Sequence, residues 1–200
     1  MSAPDQEKPA ALRFTHWLAG WLAFLAGLGV IALAFLICID IGARSLLRVS
    51  IQGSDELGGY ALALVGSLGL AHTLLQRAHP RVDLGLKFLP RRAQSALLVL
   101  ALAAMAGMAC FMVWQGWGEM EKTLRFGTIT NTPLQTPLWV PQGLWLSGLA
   151  FFALTAILAT VHGFKLLLRD PQQVVAHYGA KAVEEEIADY VDPNAAEGKS

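Results

Sequence analysis

The sequence is short of charge and nearly free of cysteine, and each shortage excludes a class of protein. Only 15% of the 200 residues are charged and 54% are hydrophobic, whereas a soluble domain usually carries about 25% charge. Fifteen Lys and Arg residues balance fifteen Asp and Glu residues, so no excess charge indicates a nucleic acid or an acidic substrate. Cys38 and Cys110 lie inside apolar runs, which excludes a disulfide framework and a CxxC metal site. A membrane protein is the first class to consider.

Four long runs with almost no ionisable residue predict four transmembrane helices, since about 20 apolar residues span a bilayer core. The runs cover residues 17–39, 57–75, 93–118 and 138–161. The first run is too long for the apolar part of a signal peptide, so we expect it to stay as a membrane helix. The predicted fold is all-α, with a four-helix membrane domain over residues 1–168 and a polar tail over residues 169–200.

Positive charge is concentrated on one side of the predicted spans. Loops rich in Lys and Arg stay in the cytoplasm during membrane insertion. One side carries Lys8, Arg13, Arg77, Arg81, Lys87, Arg91, Arg92, Lys165, Arg169, Lys181 and Lys199, and the other carries Arg44, Arg48, Lys122 and Arg125. Both termini, the polar tail and the link between the second and third spans are therefore predicted to be cytoplasmic.

Each of the first two spans carries a stripe of small residues that are spaced four positions apart. Such spacing lets helix backbones approach closely in lipid, where apolarity alone gives no association. We predict helix packing along these stripes, although helices rich in Ala and Gly also produce such stripes by chance. The stripes consist of Ala19, Ala23 and Gly27 on the first span, and of Gly59, Ala63, Ser67 and Ala71 on the second.

The second span opens with Ser54, Asp55 and Glu56. A serine here is positioned to cap the helix, and carboxylates are favourable near the positive end of the helix dipole. Two interpretations of Glu56 stay open, a structural role at this helix end and a partner-binding role. At the end of the first span, Asp40 and Arg44 are four residues apart and are predicted to pair on one helical face.

The link between the second and third spans predicts a short helix in the cytoplasmic interface. Val82, Leu86 and Leu89 fall on one helical face, with basic residues around them. The alternative is an ordinary basic turn. The residues of the predicted interfacial helix are Arg81, Val82, Asp83, Leu86, Lys87 and Leu89.

The link before the fourth span, residues 128–142, contains too many prolines for a helix or a central strand. It predicts an extended loop that faces outward, with Pro141 in the first turn of the fourth helix. Tryptophans suit the two membrane interfaces. Trp114, Trp117, Trp139 and Trp145 are predicted at the outer interface, and Trp17 and Trp21 at the inner one.

The spans lack the features of a solute pathway or a catalytic centre. No ionisable residue is near a span centre, no span has an interior proline, and four helices leave little room for inverted repeats. We therefore expect neither enzymatic activity nor solute transport by this chain alone. Two alternatives remain, a small homo-oligomeric exporter and a haem-carrying membrane anchor of a redox complex, the latter with ligands among His16, His72 and His162.

A series of short motifs follows in order along residues 13–168. They are Arg44, Ser54-Asp55-Glu56-Leu57-Gly58-Gly59-Tyr60, Gly69 with Ala71-His72, His79-Pro80-Arg81-Val82-Asp83-Leu84, Leu89-Pro90, Trp114-Gln115-Gly116 and Thr136-Pro137-Leu138-Trp139-Val140-Pro141-Gln142. In this order and spacing, the chain resembles the small (Q-type, DctQ-like) membrane subunit of tripartite ATP-independent periplasmic (TRAP) transporters.

The resemblance implies an accessory subunit in a bacterial inner membrane, without a cofactor of its own. Its expected partners are a large membrane subunit, which carries the sodium and solute sites, and a periplasmic solute-binding protein. The expected solutes are organic acids. The interfacial helix would brace the cytoplasmic side. The resemblance places the partner-binding residues Glu56, Pro137, Trp139, Pro141 and Gln142 on the periplasmic side, near the docked soluble protein.

Overall fold

The computed structural model describes residues 9–49, 53–77 and 89–179. Its helices are α1 (Ala10–Leu47), α2 (Ser54–Leu75), α3 (Arg91–Phe126), α4 (Trp139–Arg169) and α5 (Pro171–Tyr178). Four helices within the described ranges, α1 to α4, are long and apolar enough to cross a membrane. The predicted all-α fold with four membrane helices is confirmed.

Helix α4 is the centre of the bundle. It packs along α3 over most of its length, and α2 lies between α4 and α1. The core where these helices meet is rich in alanine, and its buried members include Ala19, Ala71, Ala106, Ala153 and Ala156. Small side chains let helix backbones approach closely, which is how helices associate in lipid.

The closest approach of α2 and α4 occurs at Ser67 and Gly148. A Cβ atom added to Gly148 would lie 2.8 Å from the Cβ of Ser67 and 3.2 Å from its backbone carbonyl carbon. Ser67 is buried and donates a hydrogen bond to the Leu64 carbonyl oxygen of its own helix, 3.1 Å away. The hydroxyl is therefore satisfied within α2, and the contact with α4 depends on the missing side chain of Gly148.

Helix α1 is the most exposed of the four. In its most apolar stretch 0% of the residues are buried, compared with 44% in the corresponding stretch of α4. Its buried residues lie toward its two ends, with Leu12, Thr15 and Ala19 near the start of the helix and Asp40 near its end. The rest of its apolar surface needs lipid or another protein as a neighbour, because apolar side chains gain nothing from water.

Helix α5 begins directly after α4 and folds back onto α3 and α4. Asp170 caps it by accepting a hydrogen bond from the backbone N–H of Gln172 at 3.0 Å, and Pro171 occupies the first turn. The hydroxyl of Ser95 on α3 donates to the carbonyl oxygen of Pro171. The first part of the segment predicted as a polar tail is therefore a helix packed against the bundle.

The two predicted stripes are divided between the interior and the surface. Ala19, Ser67 and Ala71 are buried. Ala23 is half-buried, whereas Gly27, Gly59 and Ala63 lie on exposed surface of the chain. The stripes therefore pack within this bundle only toward the end that holds Ala19 and Ala71.

Most of the predicted interfacial helix lies outside the described residues, namely Arg81, Val82, Asp83, Leu86 and Lys87. Leu89 is described and lies outside any helix. Its carbonyl oxygen accepts a hydrogen bond from Nε2 of Gln94, 3.0 Å away, just after α3 begins.

Candidate functional site

The bundle has two ends with different chemistry. The loop end contains the end of α1, the start of α2, the end of α3, the start of α4 and the loop of residues 127–138. The basic end contains the start of α1, the end of α2, the start of α3, the end of α4 and all of α5. The residues predicted to bind partners are all at the loop end.

The loop between α3 and α4 folds into a narrow hairpin-like turn. Ile129 and Pro137 form an isolated antiparallel bridge. The Thr130 N–H donates to the Thr136 carbonyl oxygen at 3.0 Å, and the Leu138 N–H donates to the Thr128 carbonyl oxygen at 3.1 Å. The prediction of an extended loop is therefore refined, since hydrogen bonds between its two arms hold the loop compact.

Glu56, in the first turn of α2, connects that helix to the loop. The hydroxyl of Tyr60 donates to Oε1 of Glu56, and the hydroxyl of Thr130 lies 3.0 Å from the same oxygen. The Thr130 hydroxyl also lies 3.2 Å from the Thr136 carbonyl oxygen and accepts from Thr132 at 2.8 Å. Because a threonine hydroxyl has one hydrogen, Thr130 donates to only one of its two acceptors at a time.

The second oxygen of the Glu56 carboxylate is buried and has no hydrogen-bond partner among the described residues. A buried carboxylate oxygen without a donor is costly, because it has lost its water and gained nothing in return. Oε1 of Gln142, in the first turn of α4, is likewise buried without a partner within the described ranges. At the loop end, two buried acceptors therefore have no donor among the described residues, and a donor from another protein reaches them only if the surrounding side chains move.

Gln142 also lines an open cavity of about 250 Å³ between α3 and α4. Phe111, Met112 and Trp145 supply apolar walls, and Gln115 and Glu119 add polar groups. Gly116 belongs to the same wall, and a Cβ atom there would lie 2.9 Å from Cδ1 of Leu146. Gly116 therefore allows α3 and α4 to meet closely below the cavity.

The other predicted partner-binding residues lie in or beside the loop. Pro137 forms the bridge with Ile129, and Trp139 begins α4 with 49% of its surface exposed. Pro141 lies in the first turn of α4, as predicted, where its missing N–H leaves no hydrogen bond unmade. These residues and Glu56 belong to one surface region only because the loop folds back onto the start of α2.

The cap predicted for α2 is wrong. The residue at the capping position is Gly53, with φ +89°, and no side chain caps the helix. A Cβ atom at Gly53 would collide with the side chain of Leu134, so the loop also packs tightly at this point. The hydroxyl of Ser54 instead donates to Oδ2 of Asp40 at 3.2 Å.

Asp40 joins the end of α1 to the start of α2. Arg44 contacts the same carboxylate oxygen at 2.8 Å, which confirms the predicted pair. The Asp40 side chain is 5% exposed, whereas the Arg44 side chain is 60% exposed. A buried carboxylate with a hydroxyl and a guanidinium donor holds α1 and α2 in register. Sequence reasoning missed the contribution of Ser54, because its contact with Asp40 crosses between helices.

A second polar cluster lies at the basic end, where α5 meets α4. Nδ1 of His162 is 2.9 Å from the hydroxyl oxygen of Tyr178, and both groups are partly or fully buried. The rings of His162 and His177 are 5.9 Å apart between centroids, and Nδ1 of His177 donates to the Gln173 carbonyl oxygen at 3.0 Å. Burial raises the pKa of the Tyr178 hydroxyl above its ordinary value, while the nearby charge of Arg77 acts in the opposite direction.

The three histidines considered as haem ligands are divided between two places. His16 and His72 line one groove between α1 and α2, whereas His162 contacts Tyr178 and His177 beside α5. His16 also lines a small cavity of about 20 Å³ with His177 and Tyr178. Among the described residues, no group of three His, Cys, Asp or Glu side chains is arranged to hold a metal ion.

Comparison with known proteins adds one match. No protein of curated function and no solved structure matches the chain. Residues 33–166, from within α1 to near the end of α4, match the family model described as "Tripartite ATP-independent periplasmic transporters, DctQ component". This segment is more than half of the chain and includes Glu56, the loop and the Asp40 cluster. The chain therefore belongs to the DctQ family and is a small membrane subunit of a TRAP transporter, a multi-pass protein of the bacterial inner membrane.

Proposed function

We propose that this subunit supports a sodium-coupled TRAP transporter for organic acids by holding the large membrane subunit and by providing part of the docking surface for the periplasmic solute-binding protein. The solute and sodium sites belong to the large subunit. One observation carries the proposal: the Glu56 carboxylate is fixed to the loop through one oxygen, and its other oxygen has no hydrogen-bond partner among the described residues.

The loop end suits recognition by a soluble protein. The hydroxyls of Tyr60 and Thr130 orient the Glu56 carboxylate before any partner arrives, so binding orders few additional groups. Because the second oxygen of Glu56 is buried, a donor from the partner, such as an Arg, a Lys or a backbone N–H, would complete its hydrogen bonding once the loop shifts on docking. Gln142 offers a second acceptor on α4.

The exposed surface of α1 suits the large subunit. Gly27 is exposed, and no described atom lies within 4 Å of a Cβ atom added there. Small residues on an apolar surface favour close helix contact in the membrane. We assign the part of this face around Gly27, in the middle of α1, to the large subunit.

The positive charge of the basic end supports an orientation with that end in the cytoplasm. Arg13, Arg77, Arg91, Arg92, Lys165 and Arg169 all lie at that end. The loop end, with Glu56 and Gln142, then faces the periplasm. Periplasmic labelling of a cysteine introduced at Thr132, in a variant with Cys38 and Cys110 replaced by Ala, tests this orientation. Protection of that cysteine in intact cells would overturn it.

The experiment that tests the function is sodium-dependent uptake of an organic acid into proteoliposomes. Vesicles contain this chain, its candidate large subunit, or both, and the soluble binding protein is supplied in every case. Uptake only in vesicles with both subunits supports the proposal. Full uptake with the large subunit alone would show that this chain is dispensable, and uptake with this chain alone would show a self-sufficient transporter.

A further inference from the structure

A groove of about 460 Å³ runs between α1 and α2 at the basic end and is separate from the loop end. Gln76, His16 and His72 line its outer part, nearest the helix ends. Trp17, Trp21 and Phe24 line the part that runs along α1 toward the middle of the bundle. The groove therefore changes from polar to aromatic along its length.

The aromatic part of the groove is bounded by the exposed surface of a membrane helix. Trp17 is 59% exposed, Trp21 is 52% exposed and Phe24 is 63% exposed. Neighbouring rings contact one another, with centroids 6.3 Å apart for the two tryptophans and 6.2 Å apart for Trp21 and Phe24. In a bilayer these rings form a continuous apolar wall at the depth of the upper acyl chains, with the indole rings near the interface.

Gly20 keeps the floor of the groove open. It lines the groove, and no described atom lies within 4 Å of a Cβ atom added to it. The residues on either side along this face of α1 carry large rings, so the glycine creates a recess between them. A recess between aromatic side chains on the exposed side of a membrane helix suits an acyl chain better than a polar solute.

The polar part of the groove is complementary to an anion. His16 and His72 provide imidazole N–H groups and Gln76 provides an amide, all of which can donate to phosphate oxygens. The first turn of α1 has no acidic residue, and Arg13 lies one turn before His16. Within the described part of the basic end, Asp170 is the single acidic residue, and it caps α5.

We propose that this groove binds one anionic phospholipid, with its phosphate at His16, His72 and Gln76 and an acyl chain along Trp17, Trp21 and Phe24. The membrane leaflet that surrounds the basic end supplies the ligand. Hydrogen-bond donors at one end, one helical turn from Arg13, and the aromatic wall at the other distinguish this site from the general lipid-facing surface. The proposal does not depend on docking at the loop end.

Native mass spectrometry of the delipidated protein in detergent tests the site. Phosphatidylglycerol and phosphatidylcholine with identical acyl chains are added at equal concentrations. We expect one tightly bound phosphatidylglycerol with a preference of about fivefold over phosphatidylcholine, since one nearby cationic side chain contributes about that factor. Equal binding of the two lipids, or binding of several lipids without a distinct first one, would overturn the proposal.

A pair of glycine variants separates the groove from the rest of the surface. Gly20→Leu fills the recess and should abolish the distinct first binding event. Gly107→Leu is the matched control, because Gly107 lies on exposed surface of α3 and also has no described atom within 4 Å of an added Cβ. Equal loss in both variants, or retention in Gly20→Leu, would contradict the assignment.

The headgroup assignment is tested with the double variant H16A/H72A, which keeps the aromatic wall. The affinity for the first phosphatidylglycerol should fall, because its phosphate loses two donors, whereas the preference over phosphatidylcholine should persist, because Arg13 remains. An unchanged affinity would place the phosphate elsewhere. In the complex with the candidate large subunit the lipid should remain bound, and its release on assembly would overturn the assignment of this groove to lipid.

Discussion

At the loop end, side-chain hydrogen bonds join separate segments, whereas at the basic end a fifth helix packs back onto the bundle. The loop end uses hydroxyls and carboxylates, as in the contacts of Glu56 with Tyr60 and Thr130. The basic end buries Val174 against Leu98, Val99 and Leu166 and has the His162–Tyr178 contact beside them. One end is therefore ordered mainly by polar contacts and the other mainly by apolar burial.

This difference indicates which end can respond to a partner. Hydrogen bonds at an exposed surface exchange with water or a new donor at little net cost. Apolar burial is lost altogether when a packed helix detaches. We therefore expect substitutions at the loop end to change recognition more than stability, and substitutions at the basic end to change the packing of α5 more than recognition.

The largest effect is expected at Glu56. Glu56→Gln keeps the shape of the side chain but removes its charge, so a charged hydrogen bond to the soluble protein becomes a neutral one. The concentration of soluble protein that gives half-maximal uptake should rise on the order of 10- to 100-fold. Glu121→Gln is the control, because Glu121 pairs with Arg125 on exposed surface of α3. Unchanged docking in Glu56→Gln would show that the loop end does not recognise the soluble protein through this carboxylate.

The middle of the bundle connects the two ends, and its packing should be the most sensitive to an increase in side-chain size. Gly148→Ala forces α2 and α4 apart at Ser67, and such overpacking costs about 1–3 kcal/mol. The unfolding temperature in detergent should fall. Gly66→Ala on α2 is the control, because no described atom lies within 4 Å of an added Cβ and alanine favours a helix. An unchanged unfolding temperature in Gly148→Ala would show that the packing at Gly148 is loose.

A smaller effect is expected from Tyr178→Phe, which removes the contact with His162 and keeps the ring. Losing this hydrogen bond should weaken α5 packing by about 1 kcal/mol, measured as faster amide exchange in residues 172–178. Tyr60→Phe, at the loop end, should leave that exchange unchanged. Equal exchange in both variants and the native protein would show that the contact with His162 does not help to hold α5.

Tyr178 should also make the packing of α5 depend on pH. Its pKa is raised in the folded protein, so the unfolded or detached state loses the proton first. The packing of α5 should therefore be constant below about pH 10, the ordinary tyrosine pKa, and should weaken as the pH rises above it. The measurement is the protection factor of the α5 amides, which removes the intrinsic pH dependence of exchange, and in Tyr178→Phe this factor should show no such change over the same range.

The smallest effect is expected from Ser54→Ala. It removes one of the donors to Asp40 but leaves Arg44 in place, so the cost should be about 0.5–1.5 kcal/mol. Ser147→Ala is the control, because that exposed hydroxyl bonds only to the Leu144 carbonyl oxygen of its own helix among the described residues. If both variants unfold at the native temperature, Asp40 and Arg44 suffice to join α1 and α2.

The spans could be predicted because apolar length alone determines them, and the Asp40–Arg44 pair because helix geometry determines contacts four residues apart. Contacts between segments that are distant in sequence could not be predicted. The bond from Thr130 to Glu56 depends on a loop that folds back, and the bond from Ser54 to Asp40 depends on how two helices meet. Helix α5 was missed because its short apolar face, centred on Val174, is meaningful only once α3 and α4 are in place.

Two of the long helices, α1 and α3, extend beyond the membrane at the loop end. Helices α1 and α3 each continue for eight residues past their apolar runs, over residues 40–47 and 119–126. At 1.5 Å per residue this adds about 12 Å, while the headgroup layer on one side of a bilayer is roughly 5–8 Å thick. The loop end therefore extends beyond the headgroup layer, and a soluble protein that approaches it contacts protein before it contacts lipid.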